Sequence, residues 1–239
     1  MLVNNKLGAV EDVKTLSEIV HSYNPKILFH VDAIQAYGKY HIVPKRLGID
    51  LMSVSGHKLH GPKGVGFLYM RDKAKVRPLI YGGGQQKGFR SGTENVPGIA
   101  GLGLAAQMIY SDLDMKVALM RELKAYFLEG ISGIENIAVH GLTDENSAPH
   151  IISVGIAGIR SEVLLHALED KGIYVSSGSA CSSNHPSVSG VLKGIGAPKE
   201  YLDATLRFSM SEFTTKEEID YTLETLYNCV PMLRKYTRH

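Results

Sequence analysis

Three short apolar runs in the first seventy residues constrain this chain more than any other feature. Lys26 to Val31 is mostly apolar and ends at Asp32. Ile49 to Ser55 is a second run, ending at Gly56-His57-Lys58, and Val65 to Met70 is a third. Each has strand length. Residues 11–22 precede them with Val13, Leu16, Ile19 and Val20 on one helical face, and Asn24-Pro25 breaks that helix. Only residues 56–64 separate the second run from the third. A parallel crossover needs about a dozen residues or more, so this pair is expected to be antiparallel. The whole reads as a mostly parallel α/β sheet with at least one antiparallel strand.

Polar residues collect at the ends of these strands, where open α/β sheets place their ligands. Asp32 and Gln35 follow the first; Ser55, His57 and Lys58 close the second. A lysine beside a histidine suits imine chemistry, because a nearby positive group helps an amine lose its proton. An aspartate at a neighbouring strand end suits a protonated pyridine nitrogen, the pairing that makes pyridoxal phosphate an electron sink. Ser55 and His57 are candidate phosphate ligands. Taken singly, each has a blander reading. Asp32 alone is more often a turn or helix cap, His30 a packed core histidine, and Lys63 a turn residue between Pro62 and Gly64.

The second half changes order. Residues 81–98 form a glycine-rich stretch, and 96–130 is helical in pattern, as one helix or two. Strands are expected at 137–139, 151–156, 173–175 and 204–210. Helices are expected at 161–171 and from Thr214, whose spacing to Glu217 is a capping box, to about Arg234. This describes a smaller α+β domain. Within it, residues 176–184 surround Cys181 with serine, glycine and alanine and no apolar period, as expected of an exposed thiol on a loop. Cys229 sits instead in an apolar stripe. Arg207 has apolar neighbours and calls for a carboxylate, from the protein or from an amino-acid substrate.

Composition excludes several classes. Of 239 residues, 44% are hydrophobic and 21% charged, as in a globular protein, and a net charge of +2 without basic blocks argues against nucleic acid. No apolar run approaches the ~18 residues of a membrane span, and no secretory signal is visible. Two cysteines are too few for a disulfide framework, so a cytoplasmic setting is the default. Met1-Leu2-Val3 reads like the tail of a strand, as though the chain were entered inside a domain.

Jointly, several motifs closely resemble the cysteine desulfurases of the class V aminotransferase group. They are His30-Val31-Asp32-Ala33 with Gln35, Ser53 to Lys58, Gly61-Pro62-Lys63-Gly64, the glycines and Gln of 82–85, Arg90 to Asn95, and Ser176 to Ser183. The resemblance runs from Asn4-Asn5 to the last helix, and the length of 181–191 is similar to the housekeeping branch with an extended cysteine loop. It implies a fold-type-I pyridoxal-phosphate transferase. Residues 1–112 would be the C-terminal part of the cofactor-binding large domain, and 113–239 the small domain with the cysteine loop.

The resemblance also implies roles. Lys58 would hold the cofactor as an imine and move the substrate α-proton. Asp32 would pair with the ring nitrogen, Gln35 would bond the ring oxygen with Asn5 beside it, and Ser55 and His57 would bind phosphate. Thr93 would reach the phosphate site of the other subunit of a homodimer. Arg207 would bind the carboxylate of L-cysteine, and Asn5 is a second candidate substrate-binding residue. Cys181 would take the sulfur as a persulfide, releasing alanine and serving iron–sulfur assembly or tRNA thiolation through small acceptor or scaffold proteins; Cys181 is also a candidate transient iron–sulfur cluster ligand. Lys6 stands where a Glu is usual and Gln86-Lys87 where Glu-Arg is common, both read as minor exposed changes. The family's front part, with its phosphate-binding turn and ring-stacking histidine, has no counterpart in residues 1–20, so an N-terminally truncated member is expected. Three alternatives stand beside this reading: a catalytically impaired remnant acting as a binding partner, a selenocysteine lyase, or another fold-type-I enzyme such as an aminotransferase or kynureninase-like hydrolase.

Overall fold

The computed structural model describes residues 1–72, 74–177 and 189–236. These form two compact units. Unit 1 comprises Met1–Val3 and Glu11–Leu113, and unit 2 comprises Asn4–Val10 and Asp114–His239. The division expected from sequence, 1–112 and 113–239, puts Asn4–Val10 with the first domain, whereas here those residues join unit 2.

Unit 1 opens with helix α1 (Val13–Tyr23), capped by Asp12, whose side chain accepts from the Thr15 N–H. Strands β1 (His30–Asp32), β2 (Leu51–Ser55) and β3 (Gly66–Met70) form a mixed sheet in that order. β1 and β2 are parallel, with Asp32 opposite Ser53; β2 and β3 are antiparallel, with Ser55 opposite Gly66. The short loop 56–64 thus does what its length requires. β1 is shorter than the apolar run, because Ile27 is turned back onto Asn24 (N–H to carbonyl, 3.1 Å) and pairing starts only at Phe29. Behind the sheet, Tyr37 meets Phe67 and Tyr110 edge-on, with centroids 5.3 and 5.1 Å apart. The Tyr110 hydroxyl accepts from Gly38 N–H and donates to the Tyr40 carbonyl, which fixes the turn after Asp32. Tyr110 ends helix α2 (Val96–Tyr110), which starts at the Asn95 cap.

Unit 2 carries α3 (Leu113–Ile131), separate from α2, and a four-stranded sheet. Its strands are β4 (Ile137–His140), β5 (Ile151–Ile156), β6 (Ser176–Ser177) and β7 (Thr205–Ser209), in the order β4-β5-β7-β6, all antiparallel. Helices α4 (Ser161–Glu169), α5 (Gly190–Gly194) and α6 (Lys216–Arg234) complete it. β5 is buried along its whole length, and Phe127, Ile152, Leu206, Leu168 and Leu226 lie in one apolar cluster with it. Two sequence expectations shift. The strand foreseen at 173–175 forms at Ser176–Ser177, where Ser176 pairs with Arg207. The last helix is capped by Thr215 and Glu218, one residue later than foreseen.

Candidate active site

In unit 1 the parallel register brings the C-terminal ends of β1 and β2 to the same edge of the sheet. Asp32 ends β1. Its Oδ1 accepts from Ile34 N–H at 2.9 Å, so it does cap a turn, and Oδ2 accepts no bond from another described residue. β2 runs into a 3-10 turn, Gly56–Leu59, that carries His57 and Lys58. Leu59 is buried and anchors the turn, leaving His57 and Lys58 exposed. Gly56 is needed there. Its N–H donates to the Val65 carbonyl at 2.8 Å, and a Cβ would press on the carbonyls of Val65 and Pro62 at 3.0 and 3.1 Å. Gly66 is likewise pressed to β2, where a Cβ would collide with the Val54 carbonyl. Ser55 Oγ and His57 Nδ1 share a hydrogen bond of 2.8 Å. Lys58 makes no hydrogen bond or ion pair with any described residue. His30 is no core histidine: it is exposed, and its Nε2 bonds Ser53 Oγ at 2.8 Å.

Gln35 lies in the turn after β1, half-buried. Thr93 is exposed in the loop before α2, and no described contact joins it to the Lys58 group. Its loop is shaped by Ser91, whose hydroxyl donates to the Gly83 carbonyl at 2.8 Å.

In unit 2 the chain start meets β7. Asn4 Oδ1 accepts from the N–H groups of Lys6 and Leu7, and Ala148 N–H donates to the Gly8 carbonyl at 2.7 Å, so residues 4–10 are held in a tight turn. This places the Asn5 carbonyl 2.9 Å from Arg207 Nη1. Arg207 Nη2 donates to Ser176 Oγ at 3.0 Å. These two bonds fix the orientation of the guanidinium. Asn5 and Arg207, each named as a substrate-binding candidate from sequence, are thus brought together. Ser176 was missed as a partner, although it begins the serine-rich run that sequence flagged.

Arg207 lines a narrow cleft with Lys6, Ser153, Ser177, Ser189, Leu192 and Thr205. Lys6 is half-buried, so its reading as a minor exposed change is corrected. The Thr205 hydroxyl donates to the Tyr201 carbonyl at 2.6 Å and therefore accepts from His140 Nε2–H at 3.1 Å. Burial of His140 holds its pKa below the usual imidazole value and keeps it neutral. Cys181, the expected sulfur acceptor and cluster ligand, lies outside the described residues. Among those described, no three His, Cys, Asp or Glu side chains gather to hold a metal ion.

The donor set in unit 1 fits pyridoxal phosphate by its chemistry. It offers an exposed amine, a carboxylate with one oxygen uncommitted, and a hydroxyl and imidazole at the turn.

The family model described as aminotransferase class-V matches residues 1–222. The chain is 43% identical over 236 residues to cysteine desulfurase IscS of Buchnera aphidicola, covering 98% of this chain and 57% of that one. It is 39% identical over 235 residues to the protein of the same name from Dictyoglomus turgidum, covering 98% and 59%. Among solved structures, a NifS-like protein superposes with a TM-score of 0.90 at 35% identity, over 98% of this chain and 60% of the other. The apo cysteine desulfurase of Thermococcus onnurineus gives 0.83 at 26% identity, over 97% and 59%. The chain therefore spans less than two thirds of the length of these relatives. With the family model matching nearly all of its residues, the chain belongs to the aminotransferase class-V family.

Proposed function

We propose that this protein is a pyridoxal-phosphate-dependent cysteine desulfurase, converting L-cysteine to L-alanine and passing the sulfur to Cys181. The observation that carries the reading is Lys58. Its side chain is exposed on the turn after β2, with no hydrogen-bond or ion-pair partner among the described residues, at the sheet edge where Asp32 ends β1. When bound, the cofactor supplies an electron sink for bond changes at the amino acid's Cα. Lys58 holds it covalently and moves the proton at that carbon. Asp32 keeps the ring nitrogen positively charged through Oδ2, with Gln35 and Asn5 as further cofactor ligands. Ser55 and His57, tied to one another, bind phosphate, and Thr93 reaches the phosphate of the second subunit in a homodimer. Arg207 grips the substrate carboxylate as a fork, aimed by Asn5 and Ser176.

Sulfur transfer balances simply. The substrate C–S bond breaks as an S–S bond forms on the Cys181 thiolate, and the carbon takes up a proton to give alanine. Cys181 lies outside the described residues; Ser177 and Ser189, which precede and follow its stretch in sequence, line the Arg207 cleft. The persulfide then serves iron–sulfur cluster or thio-cofactor assembly through acceptor proteins, with Cys181 as a transient cluster ligand. Among the described residues no helix is long and apolar enough to cross a membrane, in keeping with a cytoplasmic setting.

The test has two parts. Borohydride reduction of the protein with pyridoxal phosphate should fix the label on Lys58. L-cysteine should then yield alanine and sulfide, with sulfur transfer lost in Cys181→Ala. Alanine formation that persists in Cys181→Ala would favour a lyase, including a selenocysteine lyase. Absence of label on Lys58 would favour a remnant that only binds a partner.

A further inference from the structure

Lys124 stands on α3 and is only 4% exposed, a cation that the proposed reaction does not use. Burying an ammonium is costly, and the cost shows in its pKa, which burial and the nearby Arg121 hold below the usual lysine value. A cation kept there against that cost has its use in the segment it binds. Its Nζ donates to the Ser147 hydroxyl at 2.8 Å and to the Ala148 carbonyl at 2.9 Å. Arg121, three residues earlier on the same helix, reaches the same segment, with Nη2 donating to the Glu145 carbonyl at 3.2 Å. The segment in turn carries the chain start. Ala148 N–H donates to the Gly8 carbonyl at 2.7 Å, and Ser147 pairs with Ala9 in an antiparallel bridge. The N–H groups of Gly8 and Asn4 close the turn on the carbonyls of Asn4 and Ala9, at 2.9 and 2.8 Å. From that turn the Asn5 carbonyl meets Arg207 Nη1 at 2.9 Å. Every link lies in unit 2.

We propose that Lys124 is a positioning residue for Arg207. It fixes residues 147–148, these fix the Asn4–Val10 turn, and the turn sets the Asn5 carbonyl that directs the guanidinium. What Arg207 binds rests on the desulfurase reading; the relay itself does not. Lys124 has no part in the bond changes. Releasing its two bonds frees the turn to shift, and a displacement of about 1 Å in a binding group can cost about a hundredfold in rate.

The test compares wild type with Lys124→Met, Ser147→Ala and Thr215→Ala in the purified protein supplied with pyridoxal phosphate, well below its unfolding temperature. Thr215→Ala removes a helix cap elsewhere in unit 2 and serves as the control for lost stability. KM for L-cysteine should rise roughly tenfold in Lys124→Met, with kcat moving far less. It should rise by a smaller factor in Ser147→Ala, which removes one of the two lysine bonds, and stay at the wild-type value in Thr215→Ala. A readout without turnover is hydrogen exchange at the N–H groups of Ala148 and Asn4, together with the Nη–H resonances of Arg207. In Lys124→Met the two amides should exchange about tenfold faster, the Arg207 resonances should move, and Ile152 in β5 should keep its wild-type rate. If Lys124→Met does not fold, Ser147→Ala alone decides. Wild-type KM and wild-type Arg207 resonances in the folded variants overturn the proposal, and so does an equal rise of KM in Thr215→Ala. If wild type makes no alanine yet the amides and Arg207 respond to Lys124→Met, the desulfurase reading fails and the relay stands.

Discussion

Lys124 is a cation inside unit 2, only 4% exposed, with Nζ donating to Ser147 Oγ at 2.8 Å and to the Ala148 carbonyl at 2.9 Å. Burial, with Arg121 nearby, pushes its pKa down to about 8. Between about 8 and the ordinary value of 10.5 the unfolded chain binds the proton that the folded chain has lost, so stability rises with pH across that window. Lys124→Met should lack this rise. Urea titrations at pH 7.5 and 10 should show wild type gaining on the order of 1–2 kcal/mol relative to the variant; parallel behaviour of the two would refute the assignment. Asp50 is the opposite case, a carboxylate with no exposed surface. Oδ2 accepts from Phe29 N–H at 2.8 Å and bonds His21 Nε2 at 2.9 Å, while Oδ1 meets Arg71 at 2.8 Å. It ties α1, the entry to β1 and the end of β3. Asp50→Ala should cost roughly 1–3 kcal/mol, since it leaves the Phe29 N–H without its acceptor and removes the tie to His21 and Arg71. A loss under 1 kcal/mol by urea denaturation would contradict that. Neither residue was legible in sequence. Asp50 stands inside the second apolar run and Asp32 at the end of the first, and only tertiary contacts show that one carboxylate is consumed by structure while the other keeps an oxygen uncommitted among the described residues.

Elements were legible where local chemistry decides them, and slipped where two local solutions compete. The antiparallel return of β3 followed from the length of the connecting loop alone. The start of α6 was ambiguous because Thr214 and Thr215 each have a glutamate three residues on. The structure resolves it by giving Thr214 another task. Its hydroxyl accepts from Ser211 N–H at 3.0 Å, while Thr215 and Glu218 exchange both bonds of the capping box, at 3.2 and 2.9 Å. Thr215→Ala should therefore lower stability by about 1 kcal/mol. Thr214→Ala should cost clearly less in thermal unfolding, and a reversed order would mean the helix begins elsewhere. Strand β6 was misplaced for a related reason. Val175 carries the apolar signal, but the partner strand accepts Ser176 and Ser177, and Arg207 needs the serine hydroxyl. β1 was overestimated because apolarity at Ile27 and Leu28 marks no burial; both are exposed.

For the whole molecule, the two units differ in how completely they are packed. Unit 2 has one large apolar cluster spanning three helices and its sheet. Unit 1 leaves Phe67 and Leu68 of β3 exposed, together with Val96, Ile99, Leu104 and Met108 of α2. Local opening is cheapest where few apolar contacts hold a strand. Hydrogen exchange should therefore be slowest in β5 and β7 and fastest, among the long strands, in β3; equal protection of β3 and β5 would show that packing does not set local stability here. What sequence could not display was the most distant of the site's pairings, the Asn5 carbonyl with the Arg207 guanidinium. That pairing has a consequence for biosynthesis. A ribosome adding about 5–20 residues per second releases Arg207 on the order of 10–40 s after Asn5. Until then the turn at Asn4–Val10 has no β7 to close upon, and the Asn5–Arg207 pair cannot form. The turn residues therefore wait, through the synthesis of all that lies between, for the strand that fixes them.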